Sequence, residues 1–131
     1  MISESAAAAG VMAGRVAELL TARGYAIQVP PGRDPAVFRV VRLRGRPEVE
    51  VSVEGDGYTG LEYIAGHRAF GEAGPVVAAI LGLPAHPDID VDKWDGRHAV
   101  DWHYLPPKGQ PVGPEVIADL LSGVLAVIAG R

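Results

Sequence analysis

Asp88-Ile89-Asp90-Val91-Asp92-Lys93-Trp94-Asp95-Gly96-Arg97-His98-Ala99-Val100-Asp101-Trp102-His103-Tyr104-Leu105 is the stretch whose reading decides the fold. Apolar and polar residues alternate on both sides of Asp95-Gly96, which is the period of a strand with one buried face. Asp-Gly marks a hairpin because a two-residue type I′ turn needs two residues that tolerate positive φ. A turn there pairs Trp94 with Arg97, Val91 with Val100, Asp90 with Asp101, Ile89 with Trp102 and Asp88 with His103. One face then carries Ile89, Val91, Val100, Trp102 and Tyr104. The other carries Asp88, Asp90, Asp92, Asp101 and His103. An apolar wall backs an acidic surface, and the rest of the chain must cover the wall.

Working outward, the alternation recurs. Val49, Val51 and Val53 face one way while Glu48, Glu50, Ser52 and Glu54 face the other, so this segment pairs with 36–44 around Gly45-Arg46. With Arg44 opposite Pro47, Phe38 and Val40 join the valine face, and Arg39, Val41 and Leu43 lie on the opposite one. Gly55-Asp56-Gly57 makes the next turn, and Tyr58 to Ile64 continues the meander. Tyr25 to Val29 supplies a short first strand, stopped by Pro30-Pro31-Gly32.

Three helices complete the chain. Over Ser5 to Arg23, Met12, Val16, Leu19 and Leu20 recur at one-face helical spacing, and Gly24 sits where a left-handed residue ends a helix. Pro75 to Leu83 is a short helix with Pro75 at its first position and Pro84 beyond its end. Residues 66–74 fit either a loop or the first turn of that helix. Gly113-Pro114-Glu115 starts a last helix that runs to about Ala129. The expected architecture is α+β and a single domain over residues 1–131. It is one antiparallel sheet in the order α, three- or four-strand meander, α, β-hairpin, α, with the helices mainly on one face.

This element order resembles the type III secretion chaperone-like fold, an α/β dimer former that also occurs in proteins without a secretion role. The resemblance is one of topology over the whole chain and rests on no shared motif. It implies a homodimer that binds another polypeptide.

Composition bounds the function. A chain of 131 residues is long enough for one core without disulfides, and it has no cysteine, which suits a reducing cytoplasm. A net charge of −4 argues against general nucleic-acid affinity. The apolar N-terminal run lacks the basic start of a signal peptide, and no apolar run is long enough to span a membrane. Gly55-Asp56-Gly57-Tyr58-Thr59-Gly60 fits G-x-G-x-x-G. The strand before it carries Glu48, Glu50 and Glu54, unlike the apolar strand of a dinucleotide fold, so it reads as a turn between antiparallel strands. Asp88, Asp90 and Asp92 open like a calcium loop, but Lys93 and Ala99 stand where glycine and glutamate are needed. The arginines at 33, 39, 42, 44 and 46 read as cross-strand partners of Glu48 and Glu50. No two of the four histidines have helical metal-ligand spacing, and no serine sits on a nucleophile elbow.

Two features point to binding. The acidic hairpin face, with Asp88, Asp90, Asp92, Asp101 and His103, invites a basic partner or a cation. The last helix is apolar around more than half its circumference, and with Val41 and Leu43 it suggests a dimer interface at Leu121, Leu125 and Ile128. The leading expectation is a non-enzymatic, dimeric, chaperone-like or immunity-like binder with no cofactor. The alternative is a small-molecule or cation-binding domain, conceivably an enzyme, using Asp90, Asp101 and His103.

Overall fold

In the computed structural model the chain forms a six-stranded antiparallel sheet with three helices. The structure describes residues 4–29, 35–43, 48–63, 70–94, 99–110 and 112–130. In chain order the elements are α1 (Glu4–Ala22), β1 (Ala26–Gln28), β2 (Val37–Val41), β3 (Val49–Val53), β4 (Thr59–Tyr63), α2 (Phe70–Leu81), β5 (Ile89–Trp94), β6 (Ala99–Tyr104) and α3 (Pro114–Ile128). The sheet order is β1-β2-β3-β4-β6-β5, so the final hairpin joins the meander through β6 and leaves β5 on the edge. This is the expected α+β architecture, with the fourth meander strand present.

Alternation decides which face is buried. Phe38, Val40, Val49, Val51, Val53, Leu61, Tyr63, Val100, Trp102 and Tyr104 all point inward and are buried, together with Val16 and Leu20 of α1 and Ile80 of α2. Trp102, only 2% exposed, is among the largest fully buried side chains. The opposite face carries the charged residues and no described helix packs on it.

Helix α1 ends as its glycine foretells. Tyr25 donates its N–H to the Leu20 carbonyl (3.1 Å) and Gly24 donates to Thr21 (3.0 Å), the paired bonds of a Schellman motif. The end of α1 is then tied to α3, with Arg23 bonded to Asp119 at 2.6 Å and to the Ser122 hydroxyl at 2.9 Å. Between β3 and β4, Gly57 takes φ +97° and Asp56 Oδ1 accepts the Tyr58 N–H at 2.9 Å. The G-x-G-x-x-G stretch is therefore a turn between antiparallel strands.

Four expectations need correction. Both hairpins pair two residues out of the expected register, with Phe38 opposite Val51 and Val91 opposite Trp102. Trp94–Ala99 is the last described pair of this hairpin; the expected Asp95-Gly96 tip, like Gly45-Arg46, lies outside the described residues. Helix α2 starts at Phe70, so Pro75 stands at its sixth position and not its first, at the cost of one intrahelical backbone bond. Leu43 does not share the outer face with Val41. Arg42 takes φ +59°, which breaks the strand's alternation and turns Leu43 into the core at 4% exposure.

The fourth correction concerns α3. Leu121, Leu125 and Ile128 are each 0% exposed within the single chain, so they cannot form a free interface. The surplus apolar circumference of α3 is covered by α1 and α2 as well as by the sheet. Among the expected interface residues, Val41 alone keeps partial exposure.

Two substitutions test this core. Trp102→Ala should lower unfolding stability by about 3–5 kcal/mol in a urea titration, the range for emptying a large aromatic site. Leu125→Glu should give a chain without cooperative thermal unfolding, because the carboxylate has no water and no partner at a fully buried position. A folded monomer from Leu125→Glu would show instead that the residue lies at a surface.

Candidate functional site

The outer face of the sheet is ordered by its register. Arg39 stands opposite Glu50, Glu50 opposite Glu62, Glu62 opposite Asp101, and Asp101 opposite Asp92. With Gln28 opposite Arg39 at the far edge, these residues form one row across all six strands. Four adjacent strands thus place carboxylates side by side, with a single guanidinium at one end. Arg39 Nε lies 3.8 Å from Glu50, and Arg39 also reaches Glu48 at 3.5 Å. These distances are long for ion pairs, and a half-exposed pair of this kind contributes little stability.

Glu62 stands in the middle of the row and feels it most. Partial burial raises its pKa above the ordinary value of 4.5, and the charges of Asp101 and Glu50 on either side raise it further. On the apolar side, burial and the charge of Asp88 raise the Tyr104 hydroxyl as well. A shallow cleft of about 230 Å³ lies over Arg39, Glu48, Glu50 and Glu62.

A second row runs beside the first. Ser52 stands opposite Gly60, Gly60 opposite His103, and His103 opposite Asp90. A Cβ on Gly60 would lie 3.1 Å from Ser52 Oγ and 3.7 Å from His103 Nδ1, so the glycine leaves a dip between them. The Tyr58 hydroxyl shares a hydrogen bond of 2.9 Å with His103 Nδ1. Serine, histidine and aspartate in one row invite comparison with a catalytic triad, but the roles do not connect. A triad needs the carboxylate on Nδ1 and the hydroxyl within hydrogen-bond reach of the ring. Here tyrosine holds Nδ1, and Ser52 is two strands away from His103.

The expected acidic face is therefore present, with its members rearranged. Asp90 faces His103, not Asp101; within the hairpin, the like charges directly opposite each other are Asp92 and Asp101. Asp90 and Asp92 are exposed, while Asp88, Asp101 and His103 are half-buried. The structure sets Asp90 opposite His103, with Asp101 in the neighbouring row of the same face. Among the described residues no group of three or more histidines, aspartates or glutamates is arranged to hold a metal ion. Two members of the site went unnoticed as site residues in the sequence, Glu50 and Glu62. Glu62 is the one charged residue between Tyr58 and Ile64, and pairing that segment with the acidic hairpin would have exposed it.

No protein-family model, no curated protein and no solved structure matches the chain. Among the described residues, no helix is long and apolar enough to cross a membrane.

The row has a pH signature. A raised Glu62 pKa means that the folded state holds a proton that the unfolded chain has released, so stability falls as pH rises from about the unfolded value through the raised folded one. Below that window the penalty is absent; above it the penalty is complete. Glu62→Gln should therefore raise the melting temperature at neutral pH, by a gain held to a few tenths of a kcal/mol by solvent screening. The gain should vanish below about pH 4. An equal gain at every pH would place its cause outside the carboxylate row.

Proposed function

We propose that this chain is a non-enzymatic interaction module whose open sheet face receives a basic surface of another polypeptide. The observation that carries this reading is the row Glu50, Glu62, Asp101 and Asp92 on four neighbouring strands, in which Arg39 is the one cation among the described residues. Like charges placed directly opposite one another cost stability, and a guanidinium or ammonium group laid across them would relieve that cost. A partner bound only by the folded state would stabilise it accordingly.

The cleft over this face is small and shallow, which favours a macromolecule over a small ligand, since small-molecule sites enclose most of their ligand. A second copy of the chain fits the face poorly, because it would set carboxylates against carboxylates. The likeness in element order to the secretion chaperone-like fold points the same way as the acidic face, although β4 adds a strand to that order.

Titrating the isotope-labelled protein with a hexa-arginine peptide tests the reading. Amide shifts should concentrate at residues 50, 62, 92 and 101 and fade with added salt. The double variant Glu62→Gln/Asp101→Asn should weaken binding roughly three- to tenfold. Shifts spread equally over exposed acids elsewhere, such as Glu18 and Asp119, would reduce the face to a solubilising surface.

A further inference from the structure

The free edge of the sheet adds specificity to this reading. Strand β5 pairs with β6 on one side and with no described strand on the other. Leu105 donates its N–H to the Asp88 carbonyl at 2.7 Å, which makes Asp88–Leu105 a hydrogen-bonded pair of the antiparallel ladder. Such pairs alternate, so Asp90 and Asp92 also direct their backbone groups toward β6. Val91 and Lys93 consequently direct N–H and C=O outward to the open edge, an unfilled half of a ladder.

The side chains along that edge divide by face. Asp90 and Asp92 are exposed on the outer side, and neither makes a hydrogen bond or ion pair with another described side chain. On the inner side Ile89 and Val91 are half-buried and line an apolar cleft of about 320 Å³. Trp102 floors this cleft, and Ile80, Leu83 and Val124 wall it. Leu81 on its rim is 43% exposed, so the cleft has apolar surface still uncovered.

We infer that β5 is the docking strand for an extended segment of another protein, with basic residues alternating with apolar ones. Residues opposite each other in an antiparallel pair share a face. A segment added beside β5 would set basic side chains against Asp90 and Asp92, and the apolar residue between them, opposite Val91, would turn inward to the cleft. Backbone bonds to Val91 and Lys93 would supply affinity, and the alternation would supply specificity, as in other cases of strand addition. A second copy of β5 is a poor occupant: antiparallel pairing centred on Val91 sets Asp90 against Asp92 twice. The inference rests on the reading of the acidic face as a partner surface and names the class of segment it takes.

The test uses a fluorescein-labelled, acetylated seven-residue peptide of alternating lysine and leucine, followed by fluorescence polarisation. The expected result is saturable one-to-one binding. It should weaken at least about tenfold with Lys93→Pro, which removes an outward N–H at an exposed edge position where proline is tolerated. Asp90→Asn/Asp92→Asn should weaken it comparably, and so should the same residues in block order, which spoil the alternation. If Lys93→Pro disturbs the fold, a peptide N-methylated at its central residues removes the same bonds from the other side. Binding indifferent to Lys93→Pro and to N-methylation, yet lost in Glu62→Gln/Asp101→Asn, would overturn strand addition while leaving the acidic-face reading intact. No binding by either the alternating or the block peptide would overturn both, and equal binding of a small apolar dye in the cleft with no peptide competition would make the cleft a ligand site instead.

Discussion

The three described helices of this chain lie on one side of a six-stranded sheet, and covering that side uses all of them. Helix α1 lies over β1 to β3, α2 lies near β6, and α3 is held between the other two helices. The inner face is accordingly a continuous apolar layer from Phe38 to Trp102. The outer face must be satisfied by water or by another molecule. Its composition follows from that constraint, because strands with one buried face alternate apolar and polar residues. What goes beyond the constraint is the sign of the charge: carboxylates occupy four adjacent strands where mixed charges would have been equally soluble.

Which residues share a face was legible in the sequence, and how far the strands slide was not. Both hairpins are displaced by two residues from the expected pairing, and a slip of two leaves every side chain on its own face. The hydrophobic pattern can therefore detect a slip of one but is blind to a slip of two. Turn chemistry has to choose between the remaining registers. Asp95-Gly96 is a strong turn signal that implied Trp94 opposite Arg97, yet Trp94 stands opposite Ala99. The consequence is local: Asp90 faces His103, and Asp92 takes its place opposite Asp101. Leu43 was misplaced for a different reason, since nothing in the sequence marks Arg42 as a residue of positive φ.

Helix α3 shows a second limit. Its apolar circumference correctly implied more than one neighbour, but a sequence pattern does not distinguish another helix of the same chain from a second chain. Helix α1 supplies the answer, through the Val16 and Leu20 stripe and through Arg23 bonded to Asp119 and Ser122. The interface expected at Leu121, Leu125 and Ile128 is thereby the centre of the core. The candidate site was legible in its hairpin half and not in its meander half, because Glu50 and Glu62 acquire meaning only when β4 is seen to lie between β3 and β6.

The claim on which the functional account stands is that Glu50, Glu62, Asp101 and Asp92 form one electrostatically connected row. Titration of the individual side-chain carboxyl carbons by nuclear magnetic resonance measures this directly. Glu62 should titrate above the ordinary glutamate value of 4.5 and move back toward it in Asp101→Asn. A Glu62 that titrates as a free glutamate in the intact protein, and does not respond to Asp101→Asn, would contradict the row and the partner surface built on it.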